Sequence, residues 1–202
     1  APLMDPQERL FLQTAYHALE DAGQTRSALS GERVGVYVGV MHSEYQLINA
    51  ENLDGPVQTS LHATIANRLS YFMGFRGPSM ALDTMCSSSL TALFLACEQL
   101  QRGHATMAVV GGVNLSLHPF KYLQTAQGNF LSSEGLCRSF GAGGDGYVPG
   151  EGVVALVLKP LRRALADGDP IRGVVAGAAI NHGGRANGFT VPAPSAQAEV
   201  IV

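Results

Sequence analysis

Cys86 stands where a strand should end and a helix should begin, in the run Asp83-Thr84-Met85-Cys86-Ser87-Ser88-Ser89-Leu90. Upstream, Pro78 to Leu82 reads as a short buried strand. Downstream, Leu90, Leu93, Phe94, Cys97 and Leu100 recur at helical spacing until Gly103 stops the run. The spacing predicts Cys86 in the first turn of that helix. Unpaired backbone N–H groups and the positive end of the macrodipole favour an anion there, so a thiolate is stabilised and the thiol can act as a nucleophile. A free cysteine is more often a small buried hydrophobe. Ser87, Ser88 and Ser89 weigh against that reading, because they lower helix propensity in the first turn and no packing demand in the sequence asks for them.

The other reactive groups are less well placed. Cys97 lies on nearly the same helix face as Cys86, about 16 Å further along, and reads as core. Cys137, in Gly135-Leu136-Cys137-Arg138-Ser139-Phe140, has no helix start of its own and reads as structural. The glycine-rich segment Gly141 to Gly152 lacks a following Gly-Lys-Ser/Thr and has no strand immediately before it, so it is expected to be a turn rather than a phosphate cradle. Its glycines let backbone pass close to a neighbouring loop or to substrate. A cysteine nucleophile works beside a base, but six histidines are present and spacing alone does not choose among them. His17 and His62 fall within helices, His104 follows a helix stop and His118 precedes Pro119, so surface or capping duties are expected. His182, on the polar, glycine-rich loop Asn181 to Pro192 at a strand end, is the strongest histidine candidate for that base. A hydrolase elbow would need Gly-x-Cys/Ser-x-Gly, which is absent around Cys86.

These residues need a scaffold, and composition bounds what it is. Of 202 residues, 46% are hydrophobic and 14% charged, against roughly 25% charged in an average soluble domain, so much of the chain must be interior. The net charge of −3, with no Lys or Arg cluster, argues against nucleic-acid and membrane-surface partners. Three cysteines without metal-ligand spacing suit a reducing cytoplasm better than a disulfide framework. Apolar runs such as Val153 to Leu158 are far short of the roughly 20 residues of a membrane span, and no signal peptide is visible.

Met4 to Ala22 is predicted as a helix: Asp5 caps, Pro6 takes the first position, Leu10, Phe11, Ala15, Ala18 and Leu19 form the stripe, and Gly23 terminates. A buried strand over Val34 to Val40 follows, then a polar loop through His42, Glu44, Tyr45 and Asn52 to Pro56, then a helix from about Thr59 to Phe72. After the Cys86 strand and helix come a strand over Thr106 to Val113, a helix around Pro119 to Ala126 and a long loop, 127–151. Strands over Val153 to Leu158 and Ile171 to Ile180 flank a short helix, Leu161 to Ala166. Alternating strands and helices predict a layered α/β fold with a largely parallel sheet. The chain opens on a helix cap, and a last helix starting at Ser195 meets no stop signal, as a partial domain would show.

Taken in order, four motifs resemble the β-ketoacyl synthase family of the thiolase-like fold, specifically ketosynthase domains of modular polyketide synthases. Met4 to Leu10 with Leu19 to Gly23 is similar to the family's early helix. Asp83 to Leu90 resembles its active-site signature, with Met85 where many members have Ala, and Gly144 to Gly152 resembles the loop and strand that follow. Val38 to Gln46 and the Asn181 to Pro192 loop are most similar to the subgroup whose acyltransferases act in trans. A thiolase or an acyl-CoA-using synthase shares fold and nucleophile but fits Thr84 to Leu90 and Gly144 to Gly152 less well. The resemblance implies a layered α/β/α/β/α fold of which about half is present: an N-terminal half without its first strand, running into the start of the C-terminal half. It implies that Cys86 takes an acyl chain from an acyl carrier protein as a thioester, with its own backbone N–H forming part of the oxyanion hole. Decarboxylative condensation with a malonyl unit follows on a second carrier. Thr84, Met85 and His182 map to the substrate pocket, and no cofactor or metal is implied. A cytoplasmic homodimer is expected for the complete domain. The family's two catalytic histidines lie in His-Gly-Thr-Gly-Thr and Asn-Ile-Gly-His motifs, neither of which occurs in these 202 residues. Residues 1–202 alone are therefore expected to be inactive. A non-elongating ketosynthase that binds acyl chains as a docking and dimerisation module, or a fatty-acid-type condensing enzyme, is the alternative implied.

Overall fold

The computed structural model describes residues 3–48, 50, 60–188 and 190–201. Asn52, Pro56, Thr59, Phe189 and Val202, which the sequence reading invokes, lie outside them. Helix α1, Pro6–Asp21, begins as predicted: the Asp5 carboxylate accepts the Gln7 N–H at 2.7 Å and Pro6 needs no partner for the N–H it lacks. Gly23, at φ 68°, ends it. Phe11, Ala15 and Leu19 are the buried stripe, whereas Leu10 is 40% exposed, because it falls a step of about 100° away from Phe11 around the helix. A short helix α2, Arg26–Leu29, capped by Thr25, was not predicted.

The sheet order is β2-β1-β3-β4. Strand β1, Val34–Gly39, is buried along its whole length. It pairs in parallel with β2, Ser79–Leu82, and with β3, Met107–Asn114, while β4, Gly152–Leu158, runs antiparallel to β3. The predicted layered α/β fold with a largely parallel sheet is present. Alternation along β1 sorts the two layers. Val34, Val36 and Val38 pack with Phe11, Leu19, Ile65, Leu69 and Met73 of α1 and of α3, His62–Met73. Tyr37 faces the other way, with Ala92 and Ala96 of α4, Ser88–Gln101. Each fully buried aliphatic side chain contributes about 1.5–3 kcal/mol. Helices α5, Phe120–Gln127, and α6, Leu161–Asp167, follow their predicted positions within a residue, and α7 spans Pro194–Ile201.

Two expectations are corrected. Strand β2 is an edge strand rather than a buried one, with Met80 36% exposed, since among the described residues only β1 pairs with it. Ile171 to Ile180 forms no strand: its residues are exposed, and no segment among the described residues supplies the ladder hydrogen bonds that turn an apolar run into a strand.

Glycine decides how closely α4 approaches the sheet. A Cβ on Gly39 would stand 2.5 Å from the Ser89 backbone nitrogen, and one on Gly112, its register partner, 3.1 Å from the Ser89 Cβ. Gly39→Ala should therefore lower unfolding stability by about 1–3 kcal/mol, while Gly150→Ala, with nothing within 4 Å, should stay within about 0.5 kcal/mol of wild type. Urea unfolding of the parent domain checks this; equal midpoints for the two variants would contradict the packing described.

Candidate functional site

Between Leu82 and Ser88 the chain turns from sheet to helix, and side-chain oxygens hold the turn. Asp83 Oδ1 accepts the Met85 N–H at 2.9 Å. Ser88 Oγ accepts the Thr84 N–H at 2.9 Å and donates to the Met85 carbonyl at 2.5 Å, which also takes the Ser88 N–H at 3.1 Å. Ser87 Oγ donates to the Thr84 carbonyl at 2.8 Å. Thr84 Oγ1 lies 3.0 Å from both Ser87 Oγ and Thr91 Oγ1. Within this clasp Met85 takes φ +59°, a left-handed conformation that a non-glycine residue holds only when its surroundings impose it.

The clasp moves the helix start. Ser87 is the N-cap and α4 opens at Ser88, so Cys86 precedes the helix instead of lying in its first turn. The thiol is exposed, at the rim where parallel β1, β2 and β3 end together. Clefts at the carboxyl ends of parallel strands are where α/β folds bind ligands. The serines are also explained: Ser88 is 5% exposed and satisfies two backbone groups, Ser87 holds Thr84, and Ser89 is small enough to sit on Gly39 and Gly112.

The remaining predicted residues are placed as follows. Thr84 and Met85 immediately precede Cys86, and Met85 is 61% exposed. His182 is exposed and its Nδ1 accepts the Gly184 N–H at 2.9 Å; no hydrogen bond among the described residues joins it to the Cys86 turn. Cys97 is half-buried, and burial, then the charge of Glu98, pushes its thiol pKa up. It lines an open apolar groove of about 770 Å³ between Leu156, Ile171 and Val175, to which Cys86 does not contribute. Cys137 is exposed in its loop and accepts the Val148 N–H at 3.2 Å. The glycine-rich segment folds onto the preceding loop as predicted: Tyr147 N–H donates to the Phe130 carbonyl at 2.8 Å, and a Cβ on Gly146 would meet the Leu131 carbonyl carbon at 2.4 Å. Hydrogen bonds from Ser133 pull the Asp145 carboxyl below its usual range. His118 does cap, its Nδ1 accepting the Phe120 N–H at 3.1 Å.

Sequence reasoning missed a polar girdle around the strand exits. Gln7, 1% exposed, donates to the His42 carbonyl at 2.9 Å and accepts from the Leu115 N–H at 3.2 Å, tying the exits of β1 and β3 together. Ser60 Oγ donates to Asp5, and Ser43 Oγ to Ser60 Oγ at 2.8 Å, so the α1 cap joins the same frame. Burial, and next the charge of Lys121, lowers the His42 pKa, against the opposing charges of Glu44 and Asp83. The signal lay in a buried Gln at the second helical position and in charged residues just after apolar strands, which no spacing rule marks.

The chain matches the family model described as Beta-ketoacyl synthase, N-terminal domain, over residues 1–164. Polyketide synthase ThaG of Burkholderia thailandensis is 60% identical over 204 residues, covering 100% of this chain and 4% of that protein. Polyketide synthase PksL of Bacillus subtilis is 59% identical over 211 residues, covering 100% and 5%. Among solved structures, the oxazolomycin ketosynthase domain OzmH KS7 of Streptomyces albus superposes with TM-score 0.94 at 57% identity, covering 98% of this chain and 35% of that one. The ketosynthase from module 6 of the bacillaene synthase of Bacillus subtilis gives TM-score 0.91 at 43% identity, covering 98% and 34%. The chain thus spans about a third of those domains. No helix among the described residues is long and apolar enough to cross a membrane.

The clasp makes two outcomes testable on the parent domain. Brief iodoacetamide treatment near neutral pH should label Cys86 ahead of Cys97 and Cys137, as read by peptide mass mapping; faster labelling of either other thiol would contradict the placement. Ser88→Ala, which strands the Thr84 N–H, should destabilise the fold by about 1–3 kcal/mol and slow Cys86 labelling.

Proposed function

Because the chain belongs to the β-ketoacyl synthase family, we propose that Cys86 is the acyl acceptor of a polyketide synthase ketosynthase, of the subgroup whose acyltransferases act in trans. The observation that carries this reading is an exposed thiol on a hydroxyl-clasped turn, next to a left-handed Met85, at the rim where three parallel strands end. The sulfur attacks the carbonyl carbon of an acyl-phosphopantetheine thioester on an acyl carrier protein, the new C–S bond forms, and the carrier thiol leaves with the proton. Malonyl on a second carrier then loses CO2, and the resulting carbanion attacks the acyl-cysteine carbonyl. A C–C bond forms and Cys86 leaves as thiolate. The backbone N–H of Cys86 supplies one oxyanion-hole donor, a contribution of about 3–4 kcal/mol where such a donor has been removed. Acid–base help for the condensation step comes from groups of the complete homodimeric domain outside residues 1–202. Thr84 and Met85 form the pocket wall beside the thioester. His182, bonded within its own loop, gains no support from the geometry as a pocket residue.

Incubating the parent domain with N-acetylcysteamine thioesters should raise its intact mass by one acyl group, on the Cys86 peptide, and Cys86→Ala should abolish the gain. Loading that persists in Cys86→Ala would refute the assignment. Met85→Ala should shift which acyl lengths load, since Met is an adaptable filler whose removal opens space. An unchanged length profile would remove Met85 from the pocket.

A further inference from the structure

Outside the Cys86 turn, the strand exits carry two buried charges that acyl transfer does not use. Glu44 is 4% exposed and Lys121 5%. Glu44 Oε2 accepts the N–H groups of Leu117 and His118 at 3.2 and 3.4 Å, while its Oε1 is buried and accepts no hydrogen bond from the described residues. Lys121 Nζ gives its protons to neutral acceptors, Asn114 Oδ1 at 2.7 Å and the Leu115 carbonyl at 3.3 Å. Each ion therefore grips a different part of one segment, Asn114 to His118. Burial lowers the Lys121 pKa, and the charges of Glu44, then Glu151, act against that lowering. Each buried charge depends on these hydrogen bonds, because a buried charged group that loses its partners bears the full cost of desolvation.

The gripped segment leaves the same end of the sheet as the Cys86 turn. Gly39 pairs with Leu82 on one side and with Gly112 on the other, so parallel β1, β2 and β3 release 40–44, 83–87 and 115–118 at the same end of the sheet. Ser89, three residues after Cys86, sits against Gly112. The His42 carbonyl, just beyond β1, accepts from Gln7, whose side-chain oxygen takes the Leu115 N–H, so the β1 exit and the gripped segment share a partner.

We propose that Glu44 and Lys121 are positioning residues that act as a unit to hold Asn114 to His118 as one wall of the entrance to Cys86, and so set the width of thioester donor that reaches the sulfur. The meaning of that width for acyl donors rests on the reading of Cys86 as acyl acceptor; the wall itself does not.

The test uses the parent domain and two alkylating probes read at the Cys86 peptide, small iodoacetamide and rigid N-phenylmaleimide. Lys121→Met and Glu44→Gln should each change the ratio of the two rates by about fivefold or more and in the same direction, and the double variant, which loses both grips on Asn114 to His118, should depart at least as far as the larger single change. Asn114→Ala removes the Lys121 acceptor without touching either charge and should move the ratio in the same direction as Lys121→Met. It carries the test if a single charge variant fails to fold. A merely structural role predicts lowered melting temperatures with an unchanged ratio in the folded protein. An unchanged ratio, or a double variant whose ratio returns to the wild-type value, overturns the proposal. A wild-type domain that is alkylated at Cys86 but never loaded by an acyl thioester would remove the acyl-acceptor reading while leaving the wall to stand or fall on the ratio.

Discussion

The site depends on a contact that leaves no room. The first turn of α4 rests on the backbone of β1 and β3, and at Gly39 the Ser89 nitrogen occupies the space in which any other residue would place its Cβ. Interiors are packed densely enough that such a contact fixes position instead of sliding. The same helix buries Ala92 and Ala96 against Tyr37, so small residues keep it close along its length. With the helix seated, the height of Ser88 above the sheet is set, and with it the height of Cys86 two residues earlier.

The turn then answers a mismatch. A strand ending at Leu82 and a helix starting at Ser88 must be joined by five residues, and the geometry drives Met85 into the left-handed region. Such a residue costs of order 1–3 kcal/mol. The hydrogen bonds of Asp83, Ser87 and Ser88 offset it at about 0.5–1.5 kcal/mol each. The exposed thiol is thus held by its neighbours' hydroxyls, and the girdle of Gln7, Glu44 and Lys121 performs the equivalent task for the other two strand exits.

The helix boundaries, the parallel strands and the singular position of Cys86 were legible because periodicity, caps and glycine stops are local signals. Asp5, Pro6 and Gly23 bracket α1 as their types require. The strand expected over Ile171 to Ile180 failed because a strand exists only with a partner, and apolar composition says nothing about who that is. Cys86 falls before the helix instead of in its first turn for a related reason: Ser87 is the N-cap, and the hydroxyls of Ser87 and Ser88 bond backward into the turn, so the helix opens only at Ser88. Gly39 and Gly112 carried a visible hint, as glycines inside strands. The bonds of Glu44 and Lys121 carried no such hint: Glu44 bonds backbone groups more than 70 residues away, and Lys121 bonds the Asn114 side chain and the Leu115 carbonyl, which no periodicity marks.

The most direct measurement is a crystal structure of the parent domain with Cys86 trapped as its acyl thioester. The account predicts the acyl carbon bonded to Cys86 Sγ and the carbonyl oxygen within about 2.7–3.1 Å of the Cys86 backbone nitrogen, with the clasp of Asp83, Ser87 and Ser88 unchanged. An acyl group on another residue, or a thioester oxygen turned away from that N–H with the clasp undone, would contradict it.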